Sequence, residues 1–252
     1  EEHFIDYIYP ASMHNYMLFF TQKGKCYWLK VYEIPEGAKN SKGRAIQNML
    51  NIDADDKVNA FIRVKQLQDP EYNMSHNLLF CTRKGVIKKT KLEAYSRPRQ
   101  NGVNAITIRE DDQVIQVRLT TGDSQIIMAN KHGRAIRFHE STVREMGRTA
   151  TGVRGMTLDE TGDDEVIGMI CIKDPEKETV MVVSEQGYGK RSEIEDYRIT
   201  NRGGKGVKTL NITEKTGNLV AIKSVTDEND LVIINKSGIT LRMKVADVRI
   251  MG

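Results

Sequence analysis

Arg202-Gly203-Gly204-Lys205-Gly206 is the segment of this 252-residue chain whose residue types point most directly to chemistry. Consecutive glycines let backbone N–H groups come close to an anion, and the flanking arginine and lysine add positive charge, a combination suited to a phosphodiester. The segment lies in the most basic of four comparable connections, which carry +2 over 36–44, 95–104 and 144–154, and +4 over 198–208. Three turns elsewhere in the same units are acidic, −3 over 53–56, −3 over 110–112 and −5 over 159–165, while a fourth, Glu214-Lys215, is neutral. The overall charge of +4, from 38 basic and 34 acidic side chains, thus conceals charge sorted by position.

Other chemistries find little support. Gly187-Tyr188-Gly189 is flanked by strand-like sequence and lacks a following Gly-Lys-Ser/Thr, so it reads as a turn rather than a phosphate loop. There is no nucleophile elbow, no His-Glu-x-x-His and no paired acid-base carboxylates, and the Asp-rich turns lack the EF-hand pattern. Cys26, Cys81 and Cys171 are odd in number and widely spaced, which fits neither a disulfide framework nor a zinc site and suggests a reducing cytoplasm. None of the five histidines stands at ligand spacing from a cysteine or a carboxylate pair, so no metal site is expected. Without an eighteen-residue apolar run or a charged-then-apolar leader, the expectation is a soluble protein with no targeting signal and no membrane partner.

The elements that must position the basic connections come from a repeat. An apolar run, a Gly-centred turn and a second strand recur at Leu18–Thr21 with Gly24, Leu78–Thr82 with Gly85, Ile126–Ala129 with Gly133, Val180–Ser184 with Gly187, and Leu231–Asn235 with Gly238. These glycines recur after 61, 48, 54 and 51 residues, a period suited to propeller blades. Four residues after the glycine stand Lys89, Arg137, Arg191 and Arg242, with Trp28 in the first copy. Each of the first four copies predicts two hairpins, the last only a first one; in the first copy, the second hairpin joins strands at Ala45–Ile52 and Lys57–Val64 around Asp53-Ala54-Asp55-Asp56. The connections carry Gly43, Gly102, Gly152 and Gly206 at equivalent places, where a positive φ or a close backbone approach would require glycine. The expected organisation is one all-β domain over 1–252, with repeats at 15–66, 77–120, 125–173 and 179–225 and partial copies at 1–14 and 230–252. Phe4–Ile8 reads as the fourth strand of the first partial copy. If like-placed connections project alike, their cations form one band, and the acidic turns gather elsewhere.

Several motifs resemble one family: Lys30-Val31-Tyr32-Glu33-Ile34-Pro35, Lys42-Gly43-Arg44-Ala45-Ile46, Thr149–Gly155 and Gln186–Arg191 are similar to the C-terminal domain of the A subunit of bacterial DNA gyrase, a type IIA topoisomerase. The resemblance covers nearly the whole chain. It implies a six-bladed propeller-like β-pinwheel, with strands exchanged between neighbouring blades and duplex DNA bent around a basic perimeter. Thr200–Gly206 matches five of the seven positions of the family's Gln-Arg-Arg-Gly-Gly-Arg/Lys-Gly box, but in a later blade than the first, where that box belongs.

On this reading the DNA-contacting residues are Arg202, Gly203, Gly204, Lys205, Gly206, Lys208, Lys39, Lys42, Arg44, Arg97, Arg99, Arg148 and Arg154. No recognition helix is evident, so base readout is not expected. The resemblance further implies cytoplasmic, nucleoid-associated work within an ATP-dependent supercoiling enzyme. Its partners would be the gyrase B subunit and the breakage-reunion part of the same polypeptide. The catalytic tyrosine, ATP and magnesium belong to those other parts, so this chain is expected to be non-catalytic and free of cofactor. The alternatives are a protein-binding propeller scaffold, a regulatory module whose acidic turns compete for the basic track, and the corresponding domain of the A-type subunit in topoisomerase IV.

Overall fold

The computed structural model describes residues 15–34, 44–234 and 240–251. The candidate strand Phe4–Ile8 and the connection residues Lys39, Lys42 and Gly43 fall outside this range, as does Gly238. The chain divides into two compact units, Glu1–Gly122 with Val143–Val153, and Asp123–Thr142 with Arg154–Gly252.

In the first unit, β1 (Tyr16–Thr21) and β2 (Lys25–Lys30) form the hairpin that the apolar runs around Gly24 predict, with Leu18 opposite Trp28. β3 (Val58–Val64) pairs with the other edge of β1. The sheet is completed by a strand from the next repeat, β6 (Val103–Asn104), which places Val103 opposite Cys26 and Asn104 opposite Lys25. The order is therefore β3-β1-β2-β6. The next sheet follows the same plan, with β4 (Asn77–Thr82), β5 (Val86–Lys91), β7 (Val114–Thr120) and a two-residue strand β10 (Val153–Arg154), in the order β10-β5-β4-β7.

The second unit repeats it. β8 (Gln125–Asn130), β9 (Arg134–His139), β11 (Val166–Ile172) and β14 (Val207–Lys208) are ordered β11-β8-β9-β14. β12 (Thr179–Ser184), β13 (Gly189–Glu193) and β15 (Leu219–Val225) form a three-stranded sheet, and β16 (Asp230–Ile234) pairs with β17 (Thr240–Lys244). The strand donated to the preceding sheet is the exchange that the family resemblance implies.

The predicted second hairpins do not form. Third and fourth strands of a repeat belong to different sheets, and the third is only two residues long where it occurs. In the first repeat, the strand expected at Ala45–Ile52 is a short helix, Arg44–Met49. Ala, Gln, Met and Leu favour helix, and one turn of it lets Leu50 and Ile46 pack with Phe19, Tyr27 and Leu29 while the Gln47 side chain donates to Asp56 O (2.9 Å).

First strands are the interior of each sheet: β4 is buried at every position and β8 and β12 at all but one. Phe20 and Phe80 meet edge to face (centroids 5.3 Å apart) beside Tyr95 in the first unit's core, and Ile127, Ile170, Val180 and Ile222 belong to that of the second. Three of the residues four after a turn glycine fasten one repeat to the next, while Arg242 pairs with Asp230 of its own hairpin. Trp28 Nε1 donates to Tyr95 O (2.9 Å), Arg137 to Ile194 O and Tyr197 O (3.2 and 2.9 Å), and Arg191 to Val245 O and Val248 O (3.0 and 3.4 Å). Each acceptor lies in or just after the 3-10 turn of the following repeat. An indole N–H replaces a guanidinium in the first copy because the site asks only for a donor.

Candidate nucleic-acid interface

The acidic turns sit against the hairpin turns between first and second strands. Lys23 Nζ pairs with Asp55, and the Lys23 amide donates to Asp56 Oδ1 (3.1 Å). The Lys84 amide donates to Asp112 Oδ1 (3.0 Å) and its ammonium to Glu110 O (3.3 Å). In the second unit, His132 bonds to Asp159 and lies 3.5 Å from Asp163 and 3.7 Å from Asp164, with Lys131 3.9 Å from Asp163. Carboxylates of the first and third of these turns thus meet basic side chains of the neighbouring hairpin turns, whereas in the second Asp112 accepts from a main-chain amide and Lys84 reaches a main-chain carbonyl.

That last cluster joins residues distant in sequence, so spacing gave no sign of it. His132, Asp159 and Asp164 offer ligand atoms within 4.8 Å of one another, but the ring and carboxylates already bond among themselves and to nearby backbone. Partial burial opposes the charged His132 ring, yet the bond to Asp159 and the charges of Asp164, Asp159 and Asp163 outweigh it and raise its pKa. The Thr161 hydroxyl foremost, then His132, lower Asp159 to about 2 against the desolvation that opposes them.

The basic connections run from each 3-10 turn to the donated strand. Arg97 and Arg99 are exposed, and Arg97 is capped by Glu93 Oε1 (2.6 Å) one turn earlier. Arg148 is half-buried and its guanidinium donates to Asn104 O, while Arg154 is exposed. Arg44 begins the short helix of the first repeat.

The glycine-rich segment is held down at several points. Arg202 Nη1 donates to Arg154 O (2.6 Å) and Nε to Thr142 O (3.2 Å). The Gly203 amide donates to Gly155 O (2.9 Å), and Thr157 bonds to the carbonyls of Gly203 and Gly204. The Gly203 N–H is therefore spent within the fold and is not left for an anion. Gly206 has φ +77°, and a Cβ there would run into the carbonyl of Ala135, so its glycine is required by the approach of β14 to β9. Gly102 meets the same constraint against Tyr27 and Cys26. Lys205 and Lys208 remain exposed, with Lys208 opposite Arg134 across the two strands and the Arg134 guanidinium on Gly206 O (2.9 Å).

Three exposed arginines outside the predicted set, Arg144, Arg198 and Arg249, recur at one place in the repeat. Each directly precedes the residue that bridges in parallel to the second strand, Glu145 to Lys89, Ile199 to Arg137 and Ile250 to Arg191. The recurring arginine after the apolar residue that ends each turn, as in Val143-Arg144, Tyr197-Arg198 and Val248-Arg249, was the available signal.

A family profile described as DNA gyrase C-terminal domain, beta-propeller, matches residues 15–65, 76–121, 124–173, 178–226 and 229–252. The chain is 45% identical over 248 residues to the DNA gyrase A protein of Staphylococcus aureus, covering 98% of this chain and 27% of that protein, so it spans about a quarter of the relative's length. Among solved structures it resembles the C-terminal domain of DNA topoisomerase IV (TM-score 0.80, 25% identity, 95% of this chain and 72% of that one). It also resembles the DNA gyrase A C-terminal domain (TM-score 0.77, 25% identity, 95% and 75%). With strands exchanged between successive antiparallel sheets and a profile match that runs along nearly all of its length, the chain belongs to the DNA gyrase C-terminal domain, beta-propeller family.

Proposed function

We propose that the chain binds duplex DNA through its basic connections without reading sequence, and bends it so that a parent DNA gyrase introduces negative supercoils by ATP-dependent strand passage. One observation supports this above others: carboxylates of the turns 53–56 and 159–165 pair with Lys23 and with Lys131 and His132 of the neighbouring hairpin turns, while Arg99, Arg154, Lys205 and Lys208 of the connections stand exposed to an outside anion. Arg97, Arg99, Arg154, Lys205 and Lys208 are the exposed members of the set, Arg97 alone of them paired with a carboxylate among the described residues, that of Glu93, and Arg144, Arg198 and Arg249 extend it. Arg202 and Arg148 also fix loops, since each gives donors to main-chain carbonyls. Lys39, Lys42 and Arg44 are proposed contacts from sequence alone.

Phosphate contacts release counterions and are blind to sequence. Curving 20 to 30 base pairs by 40 to 90 degrees costs about 1–6 kcal/mol, which several spaced contacts offset and a single loop would not. Bending would present a neighbouring stretch of the same DNA to the cleavage part of the gyrase in one crossing sense. The partners on this reading are duplex DNA, the gyrase B subunit and the breakage-reunion part of the same polypeptide, in the cytoplasm; catalytic groups, ATP and magnesium lie in those other parts. No helix among the described residues is long and apolar enough to cross a membrane. The identity to a gyrase protein favours gyrase over topoisomerase IV as the parent.

A gel-shift with random-sequence duplexes at low and moderate salt tests the reading. Sequence-independent retardation that fades with salt is expected. Absence of retardation at low salt would refute it.

A further inference from the structure

Lys88 has no exposed surface, yet its side chain ends in an ionisable amine. Its Nζ donates to Tyr95 Oη (3.2 Å), to Ala105 O (2.6 Å) and to Arg148 O. Three N–H donors meet three neutral oxygens, one from the 3-10 turn of its own repeat, one just beyond β6 and one from the basic connection at 144–154. The Phe80 and Tyr95 rings lie 5.0 and 6.0 Å away. Because the Tyr95 hydroxyl gives its proton to Ala105 O (2.7 Å), it can only accept from Lys88.

We propose that Lys88 is a positioning residue that couples the seating of DNA on the Arg148 connection to the uptake of a proton. The inference rests on the DNA-binding reading above. The titratable and charged groups facing the amine are Tyr95 from the turn, Arg148 from the connection and, beyond Tyr95, Cys26 on β2. Burial raises the pKa of both Tyr95 and Cys26, so neither changes charge near neutrality. Burial, then the Arg148 charge, push Lys88 down to about 7.

Near pH 7 the amine therefore divides between two states. The ammonium can donate to all three oxygens, the Arg148 carbonyl among them, whereas the neutral amine has only two donors to divide among them and so holds the Arg148 main chain less firmly. A phosphate reaching the Arg148 guanidinium offsets the like charge that disfavours the ammonium, so bound DNA raises the proton affinity of Lys88. By reciprocity the protonated lysine favours DNA, and affinity falls as pH rises through the Lys88 titration.

Calorimetric titration of the 252-residue chain with a random-sequence duplex, at pH 7 in phosphate and in Tris, separates the outcomes. A rise of one unit in the Lys88 pKa on binding predicts uptake of about 0.4 proton per chain. Lys88→Met and Arg148→Ala should abolish the buffer-dependent heat, and His132→Ala should keep it. Binding whose heat is the same in both buffers, or uptake that persists in a folded Lys88→Met variant, would overturn the coupling and leave the DNA reading intact. Failure to bind at all would overturn that reading instead. Should Lys88→Met not fold, lysine Nζ resonances of the unsubstituted chain decide: one must titrate near neutrality and move upward with DNA, and its absence refutes the proposal.

Discussion

Replacing Lys205 and Lys208 together by alanine isolates the phosphate contribution of the most basic connection. Both side chains are exposed, and neither is tied by a hydrogen bond or ion pair among the described residues. Loss of fold stability should therefore stay within about 0.5 kcal/mol. Each phosphate neutralised contributes about 0.9 to the slope of log affinity against log salt, so losing two contacts should flatten that slope by about 1.8. Raising salt from 50 to 200 mM would then weaken the unsubstituted chain roughly tenfold more than the variant. Fluorescence anisotropy with two unrelated duplexes over a salt series measures this directly, and both duplexes should weaken alike. An unchanged slope in a variant of unchanged melting temperature would refute the assignment of these lysines to phosphate. Arg202→Ala is a poorer probe, because its guanidinium also braces Thr142 O and Arg154 O.

Three further outcomes concern the scaffold. Arg137→Met strips Ile194 O and Tyr197 O of a donor in a buried site and should cost about 3 kcal/mol in urea unfolding; a loss under about 1 kcal/mol would mean that the repeat-to-repeat bond is redundant. Gly206→Ala adds a left-handed residue and a clash with the Ala135 carbonyl, and should lower stability by at least about 2 kcal/mol; a melting temperature equal to the parent's would contradict the close approach of β14. His132 has a raised pKa, so its contribution to stability is complete below its unfolded value, about 6.5, and is lost as pH rises through the raised value. Melting temperature should fall across that window and become flat there in His132→Ala; an identical pH profile for both proteins would refute the ion pair.

Much of the fold is legible in the sequence because its first strands are continuous apolar runs ended by a glycine turn, as at Asn77–Thr82 before Gly85. What periodicity could not supply is which sheet a two-residue strand joins. Val103 and Val207 carry no pattern of their own, and their pairing to β2 and β9 is set by glycines that permit the approach. The helix at Arg44–Met49 was missed for a related reason: with only a vestigial third strand to make, helical propensity prevails. Charge sorting at the interface was visible, but individual roles were not. Arg202 and Gly203 belong to a segment docked on 154–157, and Arg137 and Arg191, basic in the same way on paper, are buried fasteners. Lys88 gave no sign at all, since a lysine in Val86-Ile87-Lys88-Lys89 reads as the polar face of a strand, and only the fold closes Tyr95, Ala105 and Arg148 around it.

The bending of DNA along the basic connections is tested most directly by topology. Nicked plasmid is ligated while bound to the chain, the protein is removed, and the linking-number distribution is compared with that of plasmid ligated alone. The expected result is a shift of one sign that grows with bound protein and shrinks with the Lys205→Ala, Lys208→Ala pair. A distribution identical to that of free plasmid, at concentrations where the DNA is saturated, would contradict the account.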